Sequence, residues 1–323
     1  MRAALLFCLL AAAPRAEAFL FGGASEKQAA GRLAALRAAY GGGDCAGVRA
    51  QAETFLAEKP PRAMREEADG YIGDCYERDG LTDKAVSHYK VALELFPDNA
   101  RFAARLGAIY NSAGFYAQAA PLFAGVLDKA PADAEAAAGL ARAYYGLGFL
   151  AKAKAYYAQA AGLEKYSDAE LLREYAGCLL KQRDWDGADA LIARGAAAEP
   201  ASSFWPSASA RALAGRGAYA EAASALAAAD KLEPSPQRRL ERALYLAQAG
   251  LADEALTAAE AELASGGGPL ASFVKGFVLY NSGRPAEAQP FFSAAAAAGN
   301  SFTGRLAAAF LAAAKKEGGP CKR

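Results

Sequence analysis

The chain has 323 residues, 54% of them hydrophobic, with 36 Lys and Arg set against 35 Asp and Glu and a single His. A formal charge of +1 with both signs interspersed lacks the basic footprint that nucleic-acid binding requires, so nucleic acid is not an expected partner. Abundant Ala and Leu with only 14 Pro favour helix, because Ala loses no side-chain entropy there and straight-chain residues lose little.

In chain order, the first segment is a leader. Met1-Arg2 precedes an apolar run from Ala3 to Ala13, and Pro14-Arg15-Ala16-Glu17-Ala18 closes it. A positive start, a short apolar stretch and an A-x-A ending predict a secretory signal peptide over residues 1–18, cut after Ala18. The run is too short to anchor the chain in a bilayer, so no transmembrane anchor is expected after cleavage. The competing reading is an N-terminal core helix, but nothing polar interrupts the run at helical spacing. Cleavage removes Arg2, Arg15 and Glu17 and leaves acids and bases in balance. Cys8 stands too early in the run, and without small residues before it, to serve as a lipid-attachment site.

Residues 19–65 read as one degenerate helix pair. Arg32 to Tyr40 forms a helix, Gly41-Gly42-Gly43 a turn and Cys45 to Glu58 a second helix. Beyond it the sequence repeats. Ala85, Ala119, Ala153, Ala188, Ala222, Ala255 and Ala288 recur at intervals of 33 to 35 residues. Four residues after each stands Tyr89, Phe123, Tyr157, Ile192, Leu226, Ala259 or Phe292, large in all but Ala259. A small residue lets two helices approach, and a bulky one a turn later fills the groove between them. Five residues ahead of six of these alanines stands a glycine (Gly80, Gly114, Gly148, Gly217, Gly250, Gly283), suited to a left-handed helix end. Pro97, Pro131, Pro200 and Pro234 stop the second helix of four units, since Pro cannot continue one.

These residues resemble the tetratricopeptide repeat (TPR). Leu106-Gly107, Tyr110, Ala119, Phe123 and Pro131 match its pattern, as do Ile72-Gly73, Tyr76, Ala85, Tyr89, Ala92 and Pro97. Leu140-Ala141, Tyr144, Ala153, Tyr157 and Ala160 follow, with Lys165 departing from the terminal Pro. The resemblance covers residues 66–300 as seven repeats and implies an all-α, right-handed superhelical solenoid of antiparallel helix pairs. Its end needs a cap, and Ser301 to Lys316 reads as one, with Ser301 as N-cap and Lys315-Lys316 suiting the C-terminal dipole. Residues 301–323 are thus a capping helix and tail. Ser265-Gly266-Gly267-Gly268-Pro269 reads as a longer loop rather than a hinge, since the period resumes at once.

Chemistry finds little to work with. His88 is the sole histidine and reads as a groove-edge residue; no Cys or His pair has ligand spacing, so neither metal nor cofactor is expected. The Gly-rich runs lack the Lys-Ser/Thr of a phosphate loop. No catalytic residue is assigned. Cys45 and Cys75 fall on consecutive helices and form either a disulfide or two buried free thiols. Cys178 packs as a small hydrophobe and Cys321 lies in the tail.

The resemblance implies that the first helix of each pair lines a groove for a protein or peptide partner. At the groove positions stand Glu67, Asp74 and Glu77, then Arg101, Arg142, Arg173 and Arg211, then Leu240, Leu244, Phe273, Phe277 and Tyr280. The expected trough runs acidic, then arginine-lined, then apolar; the alternative is that its aromatic end lies beneath the cap helix. Gly70 and Asp74 replace the Lys and Asn of chaperone-binding members, so that clamp is absent. The functional expectation is a non-catalytic adaptor in the bacterial cell envelope, serving pilus, secretion, polysaccharide-export or other envelope assembly. A structural subunit of a larger envelope complex, or a ligand-binding protein or enzyme built on helical repeats, are the alternatives.

Overall fold

The computed structural model describes residues 14–317. Among the described residues there are seventeen helices and no strand. They fall into two compact units, one up to Gly148 and one from Phe149. The first contains α1 (Pro14–Gly41), α2 (Cys45–Ala57), α3 (Arg62–Arg78), α4 (Thr82–Leu95), α5 (Ala100–Ser112), α6 (Tyr116–Lys129) and α7 (Ala134–Gly146). The second contains α8 (Leu150–Leu163), α9 (Ala169–Gln182), α10 (Trp185–Ala198), α11 (Phe204–Gly215) and α12 (Tyr219–Leu232). It continues with α13 (Pro236–Gln248), α14 (Ala252–Ala264), α15 (Gly268–Asn281), α16 (Pro285–Ala296) and α17 (Phe302–Glu317). The apolar leader and Cys8 lie outside the described residues, as does Cys321; the expected cleavage point after Ala18 falls near the start of α1.

Local chemistry sets the helix boundaries. Several helices begin at side-chain caps: the carboxamide of Asn99 and the carboxylates of Asp133 and Asp168 accept backbone N–H bonds from the first turns of α5, α7 and α9. Ser301 does the same for α17, accepting from Gly304 N at 3.0 Å. Between helices, Gly80, Gly114, Gly217, Gly250 and Gly283 take positive φ, and the next residue's N–H reaches back to a carbonyl five residues earlier, as from Leu81 to Tyr76 at 2.9 Å. Arg183 occupies this slot in the one unit without glycine, and it still adopts φ +60°. At the end of α8, where Lys165 replaces Pro, Lys165 and Tyr166 are both left-handed. The glycine-rich segment after α14 is short, because α15 already starts at Gly268.

The repeating alanines are fully buried. Beside them the bulky residues lie over glycines of neighbouring helices: a Cβ at Gly73 would run into the Tyr89 ring, one at Gly107 or Gly139 into Phe123, and one at Gly276 into Phe292. The glycine is a receptacle for the ring, so helices pack closely without a cavity. Within each unit helices pack on their sequence neighbours, and in addition α1 packs on α3, α5 on α7, α9 on α11, α13 on α15, and α15 on α17. All these next-but-one contacts join odd-numbered helices, which therefore form the tighter, inner layer of each unit.

Candidate functional site

In the first unit the inner layer carries a polar network. Asp74, midway along α3, is buried among helices that would otherwise leave its charge without solvent. It accepts hydrogen bonds from Tyr40 Oη of α1 at 2.6 Å and from Tyr89 Oη of α4 at 3.1 Å. Arg101 of α5 ion-pairs with it, and Arg105 Nε stands 3.9 Å from its other oxygen. Gly70 makes room for this, since a Cβ there would come within 3.2 Å of the Arg101 guanidinium. Two turns up α3, Glu67 accepts from Arg37 at 2.7 and 3.0 Å and from Tyr71 Oη at 2.6 Å. These donors hold its carboxyl below the usual range, Tyr71 first among them. Tyr40 and Tyr71 lie ring to ring at 4.5 Å, with Arg78 4.3 Å above Tyr40. Tyr89 shares its one proton between Asp74 and Glu77, whose Oε1 is nearer at 2.6 Å, and burial pushes its phenol far above the ordinary value.

Arg101 is exposed on α5 and Arg142 is half-buried on α7. The expected acidic lining is not open. Asp74 and Glu67 lie beneath arginines that shield them, and the reason is geometric: α1 and α5, flanking α3, each send guanidiniums across it.

In the second unit Arg173 turns back onto the end of α10, where Glu199 takes it at 2.7 and 2.8 Å and also accepts from buried Trp205 Nε1 at 3.0 Å. Arg211 is exposed on α11. The apolar end is corrected outright. Leu240 and Phe273 are core residues, 4% and 7% exposed, and Leu244, Phe277 and Tyr280 pack against the same core. Phe310 of α17 lies 5.7 Å from Phe273, 5.5 Å from Phe277, 5.7 Å from Tyr280 and 5.5 Å from Phe292, ring centre to ring centre. The aromatic trough is filled by the cap helix, because apolar rings at the end of a stack are buried by whatever helix comes next.

On the other side of the first unit, Cys45 of α2 and Cys75 of α3 are joined in a disulfide, with Cα atoms 5.1 Å apart. Beside it a cleft of about 350 Å³ is lined by Arg49, Glu53, Leu56, Ile72, Tyr76 and His88. His88 shares a hydrogen bond of 2.8 Å with the Asp69 carbonyl, at the cleft's edge. Cys178 is a buried free thiol, its acidity suppressed by burial. Among the described residues, no group of three or more His, Cys, Asp or Glu is placed to hold a metal ion, and no helix is long and apolar enough to cross a membrane.

Sequence reasoning missed Arg37, Tyr40, Tyr71 and Arg105. One signal was available: Tyr40 and Asp74 are 34 residues apart, one repeat period, although Tyr40 lies in the pair that lacks the diagnostic Ala.

Comparison with solved structures bears on the fold. A tetratricopeptide repeat protein from Parabacteroides merdae ATCC 43184 superimposes with a TM-score of 0.53, covering 89% of this chain and 99% of its own at 12% identity. The chain has the TPR fold. Other similar TPR-type structures are MamA from Desulfovibrio magneticus RS-1, with TM-score 0.49, 20% identity and coverage of 53% and 95%, and yeast Tom70, with TM-score 0.47, 16% identity and coverage of 85% and 60%. No protein-family model and no curated protein sequence matches the chain. The TPR inner layer is where the polar network sits.

Proposed function

We propose that this chain is a non-catalytic scaffold that holds a segment of a partner protein along the inner layer of its TPR helices, and that it does so in a bacterial cell envelope after export. The observation that carries the binding role is the inner face of the first unit, where half-exposed arginines from separate helices are fixed in place by buried carboxylates and tyrosines. Such preorganisation lowers the entropy lost when a partner binds. The apolar leader and A-x-A ending support export, and the Cys45–Cys75 disulfide suits an oxidising compartment. Envelope, pilus, secretion or polysaccharide-export assembly is the setting proposed, with a structural subunit as the second reading.

The test is position-specific crosslinking in cells. A photo-reactive residue at Ala104, on the inner side of α5, is expected to trap a partner that one at Val91, exposed on α4, does not. Equal trapping from both positions would sink the inner-face reading. N-terminal sequencing of the protein from the envelope fraction should begin at Phe19, and an intact Met1 would refute cleavage.

A further inference from the structure

The charges of the first unit's inner layer are stratified. In each pair the carboxylate is the deeper member: the Arg37 side chain is 61% exposed against 33% for Glu67, and Arg101 is 48% and Arg105 45% exposed against 7% for Asp74. The carboxylates are also engaged from above. Asp74 receives the Tyr40 hydroxyl and Arg101 at one oxygen and shares the Tyr89 hydroxyl with Glu77 at the other, and Glu67 receives two guanidinium N–H groups and a hydroxyl, all at Oε1. A guanidinium has five N–H donors, and those not used inward face outward. Arg78, exposed, lies on the open side of Tyr40. Of the other acids nearby, Glu77 is half-buried and accepts from Tyr89, and Glu135 on α7 is exposed and its charge is felt by Arg105. A molecule approaching this face therefore meets guanidiniums first, with the carboxylates lying deeper beneath them.

We infer that the inner face of residues 14–148 recognises an acidic, extended segment of a partner protein, its carboxylates paired by Arg37, Arg78, Arg101 and Arg105. This rests on the inner-face reading above and adds the partner's chemistry. Planar, forked donors suit carboxylates, and their pairing with Asp74 and Glu67 beneath fixes the fork before the partner arrives. The reversal of sign relative to the linear sequence, in which α3 contributes Glu67, Asp74 and Glu77, arises entirely from which side chains end on top.

The experiment titrates the full-length mature protein with three fluorescein-labelled peptides of one length and one apolar pattern, bearing Glu and Asp, Lys, or Gln at the charged positions. The acidic peptide is expected to bind at least about tenfold more tightly than the others and to weaken as NaCl is raised. Arg37→Gln with Arg105→Gln, which leaves the Arg101–Asp74 pair intact, should weaken it about tenfold or more with an unchanged circular-dichroism spectrum. Arg101→Lys retains charge but loses the fork and should weaken it less. If Lys or Gln peptides bind as well as the acidic one, and that binding is abolished by an inner-face plug, Ala104→Trp, the acidic inference falls while the inner-face reading stands. If no peptide binds, or Ala104→Trp changes nothing, both fall.

Discussion

The two ends of the repeat array handle the same geometrical problem with opposite chemistry. In α1–α5 the inner layer is polar: buried Asp74 and half-buried Glu67 are satisfied by tyrosines and by arginines that keep an exposed face. In α13–α17 it is apolar: Phe273, Phe277, Tyr280 and Phe292 surround Phe310, and the chain's own last helix occupies the place. Apolar surface left at the end of a stack is costly in water and invites a cover, whereas guanidiniums lose little by staying wet. The polar end therefore keeps exposed guanidiniums, and the aromatic end is part of the core.

The largest effect expected from breaking this contrast is at Phe292, fully buried and in contact with Phe310. Phe292→Ala should cost about 3–5 kcal/mol in urea unfolding, by lost burial and the cavity left behind, and hydrogen exchange should quicken in α15–α17 while α1–α3 keep their protection. At the other end, replacing Cys45 and Cys75 with Ala releases a link across 30 residues and should cost about 3–4 kcal/mol, with protection lost in α1–α3 instead. Comparable loss at both ends in either variant would contradict neighbour-limited stacking. Between the two, Arg183→Gly relieves a left-handed arginine and should stabilise the second unit by about 0.5–1 kcal/mol, less than the whole conformational cost because glycine also frees the unfolded chain.

The smallest effect expected is at Asp69, buried on α3 beside the polar network. Burial raises its carboxyl above the ordinary carboxylate range, with His88 and Arg65 pulling the other way. An acid whose folded pKa lies above its unfolded one stabilises the fold fully below the unfolded value and loses that contribution as pH rises through the folded value. At neutral pH its ionised form is a cost. Asp69→Asn should accordingly raise the midpoint of thermal unfolding slightly at neutral pH and flatten its dependence on pH below neutrality; an unchanged profile would show that Arg65 and His88 already offset the burial.

Much of the fold was legible because its determinants are local and periodic. Small alanines, the aromatic four residues on, glycine at the turn and proline after the second helix each act within a few residues of where they stand. The Arg183 turn shows the limit of that reading: the helix end is enforced by its hydrogen bonds whether or not glycine is there to ease it. The groove was less legible. Glu67 and Asp74 do not form an open acidic lining and Phe273 is not a docking surface, because exposure at a helix position depends on what the next helices lay over it.

The sequence by itself determined the helix pairs, their period and their stops, and it brought Cys45 and Cys75 onto consecutive helices, since all of these follow from backbone preferences and spacing along the chain. Tertiary structure alone decided that the carboxylates of α3 go under and the arginines of α1 and α5 go over, and that Phe310 fills the aromatic trough. Depth within a packed layer is a property of neighbouring helices, and no single helix carries it in its own residues.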